Sequence, residues 1–498
     1  MPSIKSLAKD TAIYGLSSII GRFLNWCLVP LYTIMFPAEQ YGIVTYVYSV
    51  VAICLLVLTY GMETGFFRFA NHERWSDPME VYSTSLISLA STSTVFVILV
   101  AVFIHPVTDA MECHGHTSWT MMMAVCVAID AFLALPFSYL RFKRQPVRFA
   151  TIRLVNIGLN IALNLFFILL CPWLMKTAPQ TVSWFYNQSF GIGYIFLANL
   201  IASAVNFIMM IPELKGFRWR FNKTLLKEML GYSWPLLVLG VAGVMNQTID
   251  KIMYPYLAEG RGDALEGLGI YGANYKIAIV MVMFIQAFRF AYEPFIFSRD
   301  KGADDIESRK RTYSNAMKYF VLFALLIFMG VMFYLDFIRH FISPKYFSGL
   351  KVVPVVMLAE LFFGVFFNLS VWYKITDKTL WGAWFSLMGL AITVALNIVL
   401  VPRIGYMGCA WAAFASYFSM MATSYIVGHK KFPIDYQIKK ILVYCAVAAL
   451  LYFIGMRLLT PWPTANYILR FFILAGFVGL IAINEGIPLP GLSSRKAA

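Results

Sequence analysis

Two things are missing from this sequence. No polar stretch between its apolar runs exceeds roughly 20 residues, too little chain to bury a core of its own. A separately folded catalytic domain is therefore excluded, and any chemistry is left to the apolar runs or their ends. Nucleotide and metal signatures are missing as well. There is no G-x-x-x-x-G-K-[ST] loop, hence no ATPase within the chain, and no H-E-x-x-H or C-x-x-C pair. Cysteine is scarce: Cys27, Cys54, Cys113, Cys126, Cys171, Cys409 and Cys445 lie mostly inside apolar runs and suggest no disulfide framework. The opening "MPSIKSLAKD" lacks the short apolar core and small-residue cleavage site of a signal peptide, so the first apolar run is expected to stay in the mature chain.

What is present is apolar. Hydrophobic residues make up 60% of the 498 positions and the mean hydropathy is +0.71, far above soluble globular usage. Runs of about 20 apolar residues, the length of helix that crosses a bilayer, recur about fourteen times. They are expected at 11–36, 41–66, 82–104, 118–140, 149–171, 190–212, 230–257, 267–297, 313–341, 352–373, 379–401, 405–427, 437–457 and 465–484. The fold expected is an all-α polytopic membrane protein.

The net charge of +15 is distributed as a topology signal rather than as a nucleic-acid footprint. Loops such as "RFANHERW", "LRFKRQPVR", "KGFRWRFNK" and "GHKKF" are basic, while the intervening "PAEQ", "HPVTDAMECHGHTS", "AEGRGDALEG" and "PWPTAN" carry almost no Lys or Arg. About 28 of the 40 basic residues fall on one side and about 8 on the other, the pattern of the positive-inside rule. Both termini are expected in the cytoplasm, and no nucleic-acid partner is expected.

Two echoes divide the chain. "EQYGIVTYVY" (39–48) and "EGLGIYGANY" (266–275) share Glu39/Glu266, Gly42/Gly269, Ile43/Ile270 and Tyr48/Tyr275 at one constant offset. "IALN" and "IGY" at 161–164 and 192–194 return as "VALN" and "IGY" at 394–397 and 404–406. Six runs separate the copies, so both have the same orientation and are expected to be related by a pseudo-twofold along the membrane normal. An N-lobe over 1–220, a C-lobe over 221–431 and two additional spans over 432–498 follow.

Charge inside the runs is costly and usually faces a bundle interior or a wet cavity. Arg22 shares a polar face with Ser18 and Asn25 in "LSSIIGRFLNW"; "NQTIDK" places Asn246 with Asp250 and Gln247 with Lys251; the eighth run holds Lys276, Arg289 and Glu293. Asp130 and Glu360 lie near the middle of the fourth and tenth runs, and Glu63 closes the second. Two readings stay open. Arg289 and Glu293, at i,i+4, either pair with each other or face a cavity, and Asp250 has Lys251 or Lys276 as a possible counter-ion. Arg22 has no partner close in sequence. Asn156, Asn160 and Asn164 recur every four residues, as do Asn199, Ser203 and Asn206 on the sixth run; such stripes serve as interhelical glue or line a channel wet enough for sugar hydroxyls. Pro30, Pro136, Pro235, Pro255 and Pro294 are placed to kink their helices. The loop "HPVTDAMECHGH" gathers His105, Asp109, Glu112, Cys113, His114 and His116, but at spacings that fit no standard metal site. No metal and no cofactor is expected.

The stretches "ALNIVLVPRIGYMGCAWAAFAS" (395–416), "LYTIMFPAEQYGIVTYVYSVV" (31–51) and "YGMETGFFRF" (60–69) resemble the polysaccharide biosynthesis and oligosaccharide flippase family, the Wzx-type members of the multidrug, oligosaccharidyl-lipid and polysaccharide exporter superfamily. The resemblance implies a bacterial inner-membrane flippase, not an enzyme, that moves an undecaprenyl-pyrophosphate-linked sugar repeat to the outer leaflet by alternating access. It implies a central cationic cavity, a role that falls here to Arg22, Lys251, Lys276 and Arg289, with Asn25, Asn156 and Asn160 meeting sugar hydroxyls. If a proton or sodium gradient drives the cycle, Glu63, Asp130, Glu293 and Glu360 are the candidates to take up the ion. Partners implied are the lipid-linked oligosaccharide, membrane lipids, and the glycan polymerase and glycosyltransferases of the pathway. A drug or lipid II exporter of the same superfamily is the alternative, and an integral-membrane glycan polymerase or ligase is a third.

Overall fold

A computed structural model describes residues 4–72, 75, 77–258, 263–299, 306–458 and 461–486, with side chains from residue 13 onward apart from those of 18, 293–299 and 463. Among the described residues the chain is helical and contains no strand. That is what an apolar environment enforces, because backbone N–H and C=O groups that cannot reach water must pair within their own segment. Fourteen helices have 18 residues or more: α1 (Ile4–Trp26), α2 (Ala38–Thr59), α3 (Pro78–Val102), α4 (Thr117–Phe142), α5 (Pro146–Leu165), α6 (Gly193–Met210), α7 (Lys223–Leu257), α8 (Ala264–Arg299), α9 (Ile306–Phe333), α10 (Val352–Leu369), α11 (Leu380–Ile404), α12 (Tyr406–Lys431), α13 (Ile438–Arg457) and α14 (Pro463–Glu485). Among the described residues thirteen are both long and apolar enough to cross a membrane, one fewer than the sequence suggests. The exception is α12, where Gly408, Cys409, Ser416 and Ser424 turn toward neighbouring helices rather than lipid.

Local breaks follow the residues that cause them. Helix α1 breaks at Cys27 and Leu28 and resumes as Val29–Met35 with Pro30 in its first turn, where the missing N–H of proline leaves no bond broken. Helix α2 breaks at Tyr60 and Gly61, both left-handed (φ 31° and 74°), and resumes as Met62–Ala70.

Contacts between helices come in two matching sets. In the first six, α1 packs on α5, α2 on α4, α3 on α4, α4 on α6 and α5 on α6; in the next six, α7 packs on α11, α8 on α10, α9 on α10, α10 on α12 and α11 on α12. Each contact recurs six helices later, so α1–α6 and α7–α12 are two copies of one arrangement. The remaining pair, α13 and α14, docks on α9 through buried charge: Glu485 pairs with Lys318 and accepts from Tyr444 at 2.8 Å, and Arg470 donates to the Phe333 carbonyl at 2.7 Å.

The fourteen long helices, α12 included, are an even number, so the described chain begins at Ile4 and ends at Gly486 toward one face, here the terminal face, opposite a far face. Near the far face the two echo segments meet each other. A Cβ on Gly42 would collide with the Leu265 carbonyl, and one on Gly269 with the Ala38 carbonyl, so α2 and α8 cross backbone to backbone where only glycine fits. Tyr46 and Tyr256, from α2 and α7, touch through their hydroxyls at 3.0 Å and both reach the Ala110 carbonyl, at 2.9 and 3.3 Å. Asn274 donates to the Tyr346 carbonyl at 2.9 Å, and Tyr346 stands edge-on to Tyr41. These contacts join the halves across the far face.

Candidate functional site

Between the halves lie two adjoining cavities of about 460 and 220 Å³. The smaller is lined from α1, the short helix beyond its break, and α8: Arg22, Asn25, Trp26 and Val29 on one side, Lys276, Ile279, Val282, Met283 and Gln286 on the other. The larger shares several of these and adds Tyr41, Thr45, Tyr48 and Ser49 of α2, Asn160 of α5, Asn199 of α6, Gln247, Thr248 and Lys251 of α7, and Tyr275 of α8. Among the described residues, no Asp or Glu lines either cavity.

The cations differ in how they are held. Lys251 is buried; its Nζ sits 3.1 Å from Asp250, donates to the Gln247 carbonyl at 2.8 Å and lies 4.3 Å from the Tyr275 ring centre. Asp250 also accepts from Tyr271 at 2.7 Å, and Tyr275 donates to Glu360 at 2.7 Å. These carboxylates stand behind the wall, bound by their own lobe, so the counter-ion left open by the sequence is resolved: Asp250 serves Lys251. Arg22 and Lys276 make no ion pair among the described residues, and they face the cavities from opposite halves. Trp26 Nε1 donates to the Lys276 carbonyl at 2.7 Å and ties α1 to α8 at that level. An isolated cation at this depth needs an anion or water, and both are accommodated by a cavity.

The remaining candidates spread out. Arg289 lines neither cavity; it lies over the Phe367 ring at 4.5 Å, within electrostatic reach of Arg22. Asn156 donates to the Ala202 carbonyl at 2.9 Å, joining α5 to α6. Asp130 accepts from Ser203 at 2.8 Å within reach of Arg153. Glu63 sits near the terminal face, 2.7 Å from Arg141 and accepting from Ser138 at 3.2 Å. The Glu293 side chain lies outside the described residues. In the far-face loop His114 approaches Asp109 and Glu112, each at 3.3 Å, but no metal-holding group of three is found among the described residues. Burial pushes the neighbouring Cys113 thiol up to about 12, far from the thiolate a metal requires.

The candidate list lacked the tyrosines and Arg153. Tyr41, Thr45 and Tyr48 recur at i, i+4 and i+7 on α2, one face of a helix, but tyrosine counts as apolar in a hydropathy scan and hides the stripe. Arg153, 4.8 Å from the Phe137 ring centre, is also within electrostatic reach of Arg22; its place beside the asparagine stripe was the available signal.

A sequence profile of the family described as polysaccharide biosynthesis protein matches residues 7–298. No curated protein matches by sequence. Among solved structures, the lipid II flippase MurJ in an inward closed conformation is similar with a TM-score of 0.73 at 13% identity, covering 95% of this chain and 99% of that one. An inward-facing multidrug resistance MATE family transporter of the MOP superfamily gives 0.64 at 12% identity, covering 85% and 97%. The MATE multidrug transporter DinF-BH gives 0.59 at 15% identity, covering 86% and 96%. At these identities the likeness is one of fold.

Proposed function

The chain belongs to the polysaccharide biosynthesis protein family, and from that premise we propose that it is a flippase for an undecaprenyl-pyrophosphate-linked oligosaccharide. It carries the repeat unit from the cytoplasmic to the outer leaflet of a bacterial inner membrane by alternating access and makes or breaks no covalent bond. The observation that carries this reading is the pair Arg22 and Lys276: among the described residues, two unopposed cations on opposite halves, facing cavities whose lining includes no carboxylate. A pyrophosphate stripped of water regains charge-assisted hydrogen bonds there, and Val29, Ile279, Val282 and Met283 in the same lining suit the start of a polyprenyl tail whose remainder stays in lipid. The fold likeness to a flippase titled for lipid II supports the same class of cargo. In this reading the termini are cytoplasmic, the product feeds a glycan polymerase such as that of O-antigen and lipopolysaccharide assembly, and a proton or sodium gradient acts through Asp130 and Glu360.

Deleting the gene should strand the lipid-linked repeat on the cytoplasmic leaflet. Arg22→Ala and Lys276→Ala should each lower flipping by about ten- to hundredfold, the worth of a lost hydrogen bond to a charged group, with membrane insertion intact. Full complementation by both variants would sink the reading. The alternative of lipid II export suits the same cavities and is told apart by the deletion: it predicts arrested cell-wall synthesis rather than loss of a surface glycan. A drug exporter for cations fits poorly, since its cargo would meet two like charges.

A further inference from the structure

Resting on that reading, we infer that the larger cavity selects its sugar by charge, admitting neutral hydroxylated or N-acylated sugars and rejecting those with a free protonated amine. The two cavities differ in chemistry. The smaller, on the α1–α8 seam, holds Arg22 and Lys276 among apolar neighbours. The larger extends away from that seam over a wall of hydroxyls and amides from α2, α5, α6 and α7.

Hydrogen-bond accounting shows what this wall has left to offer. Tyr32 donates to Asn164 at 2.9 Å, and Asn164 in turn donates to Asn160 Oδ1 at 3.1 Å. The Asn160 amide NH₂ is thereby left to point a donor at the cavity. Asn199 donates to the Tyr48 hydroxyl, which leaves the Tyr48 O–H free to donate as well. Thr45, Ser49 and Thr248 spend their protons on carbonyls of their own helices, at 2.9, 2.7 and 2.9 Å, and retain oxygen lone pairs as acceptors. Among the described residues the wall thus presents donors and acceptors together and no negative charge, which matches a sugar hydroxyl or an N-acyl group. Among the described residues an ammonium would find no carboxylate, since Asp250 and Glu360 are engaged behind the wall. With the pyrophosphate on Arg22 and Lys276, and Lys251 on Asp250, the wall itself supplies no counter-ion, so the hydration an ammonium loses on entering goes uncompensated there.

The test uses the purified full-length protein in lipid nanodiscs and four probes: farnesyl pyrophosphate, and the same lipid bearing glucose, N-acetylglucosamine or glucosamine, at a pH where the amine is protonated. We expect the first three to bind, and the glucosamine lipid to bind at least about tenfold more weakly than its N-acetyl form, the cost of a buried charged group left without its partner. Asn199→Asp, nearly isosteric, should narrow that gap several-fold by supplying the missing anion, the gap being read as the ratio between the two sugar lipids within the same variant. Equal binding of the amine and acetyl lipids, with farnesyl pyrophosphate still bound, overturns this proposal alone. A gap that Asn199→Asp leaves intact also counts against the charge mechanism. Failure of all four probes to bind, or binding indifferent to Arg22→Ala and Lys276→Ala, overturns the flippase reading and this inference with it.

Discussion

Glu360 and Asp130 pose the same problem in the two halves. Each lies within a transmembrane helix, each is held by one hydroxyl, Tyr275 at 2.7 Å and Ser203 at 2.8 Å, and neither makes an ion pair among the described residues. Their helices, α10 and α4, are counterparts in the repeated contact pattern. A carboxylate with so few partners is expensive to keep ionised away from water, so each is suited to bind a proton or sodium ion in one orientation of the halves and release it in another. Glu360 also stands one ring away from Lys251, which lies over the Tyr275 that binds Glu360. If Glu360 takes up the ion as proposed, Tyr275 and Lys251 are the contacts through which that would reach the cavity wall. Glu360→Gln should leave substrate binding within about threefold of the parent, because the amide still accepts from Tyr275, while transport into vesicles stops responding to an imposed proton or sodium gradient. A variant that still follows the gradient would remove Glu360 from the coupling path. The charges themselves were legible in the sequence, because an ionised residue inside an apolar run is conspicuous. Which of them are satisfied was legible only in part: Arg22 has no partner close in sequence, but whether Asp250 serves Lys251 or Lys276 is decided only by the positions of Asp250 and Tyr275.

At the scale of elements, the crossing of α2 and α8 explains why the clearest sequence echo exists. Gly42 and Gly269 are spent on each other's neighbouring carbonyls, so a repeat detected as similarity between two distant segments is also a contact between them. Similarity suggested common origin and orientation; the contact could not be read from one sequence, since nothing in a periodicity pattern says that two copies touch. The same holds for the asparagine stripe of α5, which divides its labour: Asn156 joins α6, Asn164 receives Tyr32, and Asn160 reaches the cavity. Glue and wet channel were posed as alternatives, and one helix does both. Gly42→Ala or Gly269→Ala would push α2 and α8 apart, since backbone carbonyls cannot swing aside as a flexible side chain can. Either substitution should weaken far-face closure, seen as at least about fivefold faster labelling of a cysteine placed at Thr45 by a membrane-impermeant reagent from that side, the rate following the open population. Unchanged labelling in a fully active Gly42→Ala protein would mean that the close approach is not what seals the face.

For the whole molecule, the question is whether the halves must part for transport. They are joined at the far face by α2, α7 and α8, and toward the terminal face α1 also meets α8, where Gly15 faces the Phe290 ring. An alternating cycle requires this second contact to open while the first is closed, and the reverse. The geometry offers a direct lock: a Cβ built on Gly15 lies 3.6 Å from the Phe290 Cβ, inside the range that a disulfide bridges without moving backbone. Gly15→Cys with Phe290→Cys, in a background whose seven native cysteines are replaced by serine or alanine, should crosslink readily under mild oxidation. Oxidised protein should lose nearly all flipping and recover on reduction, whereas either single variant should be insensitive to oxidant. The crosslinked form should also slow capture of farnesyl pyrophosphate added from the terminal side, because the seam it shuts is the one that borders Arg22 and Lys276. Flipping that survives complete crosslinking would require the cargo to reach the cavities by another route, and the parting of α1 from α8 would then have no place in the cycle.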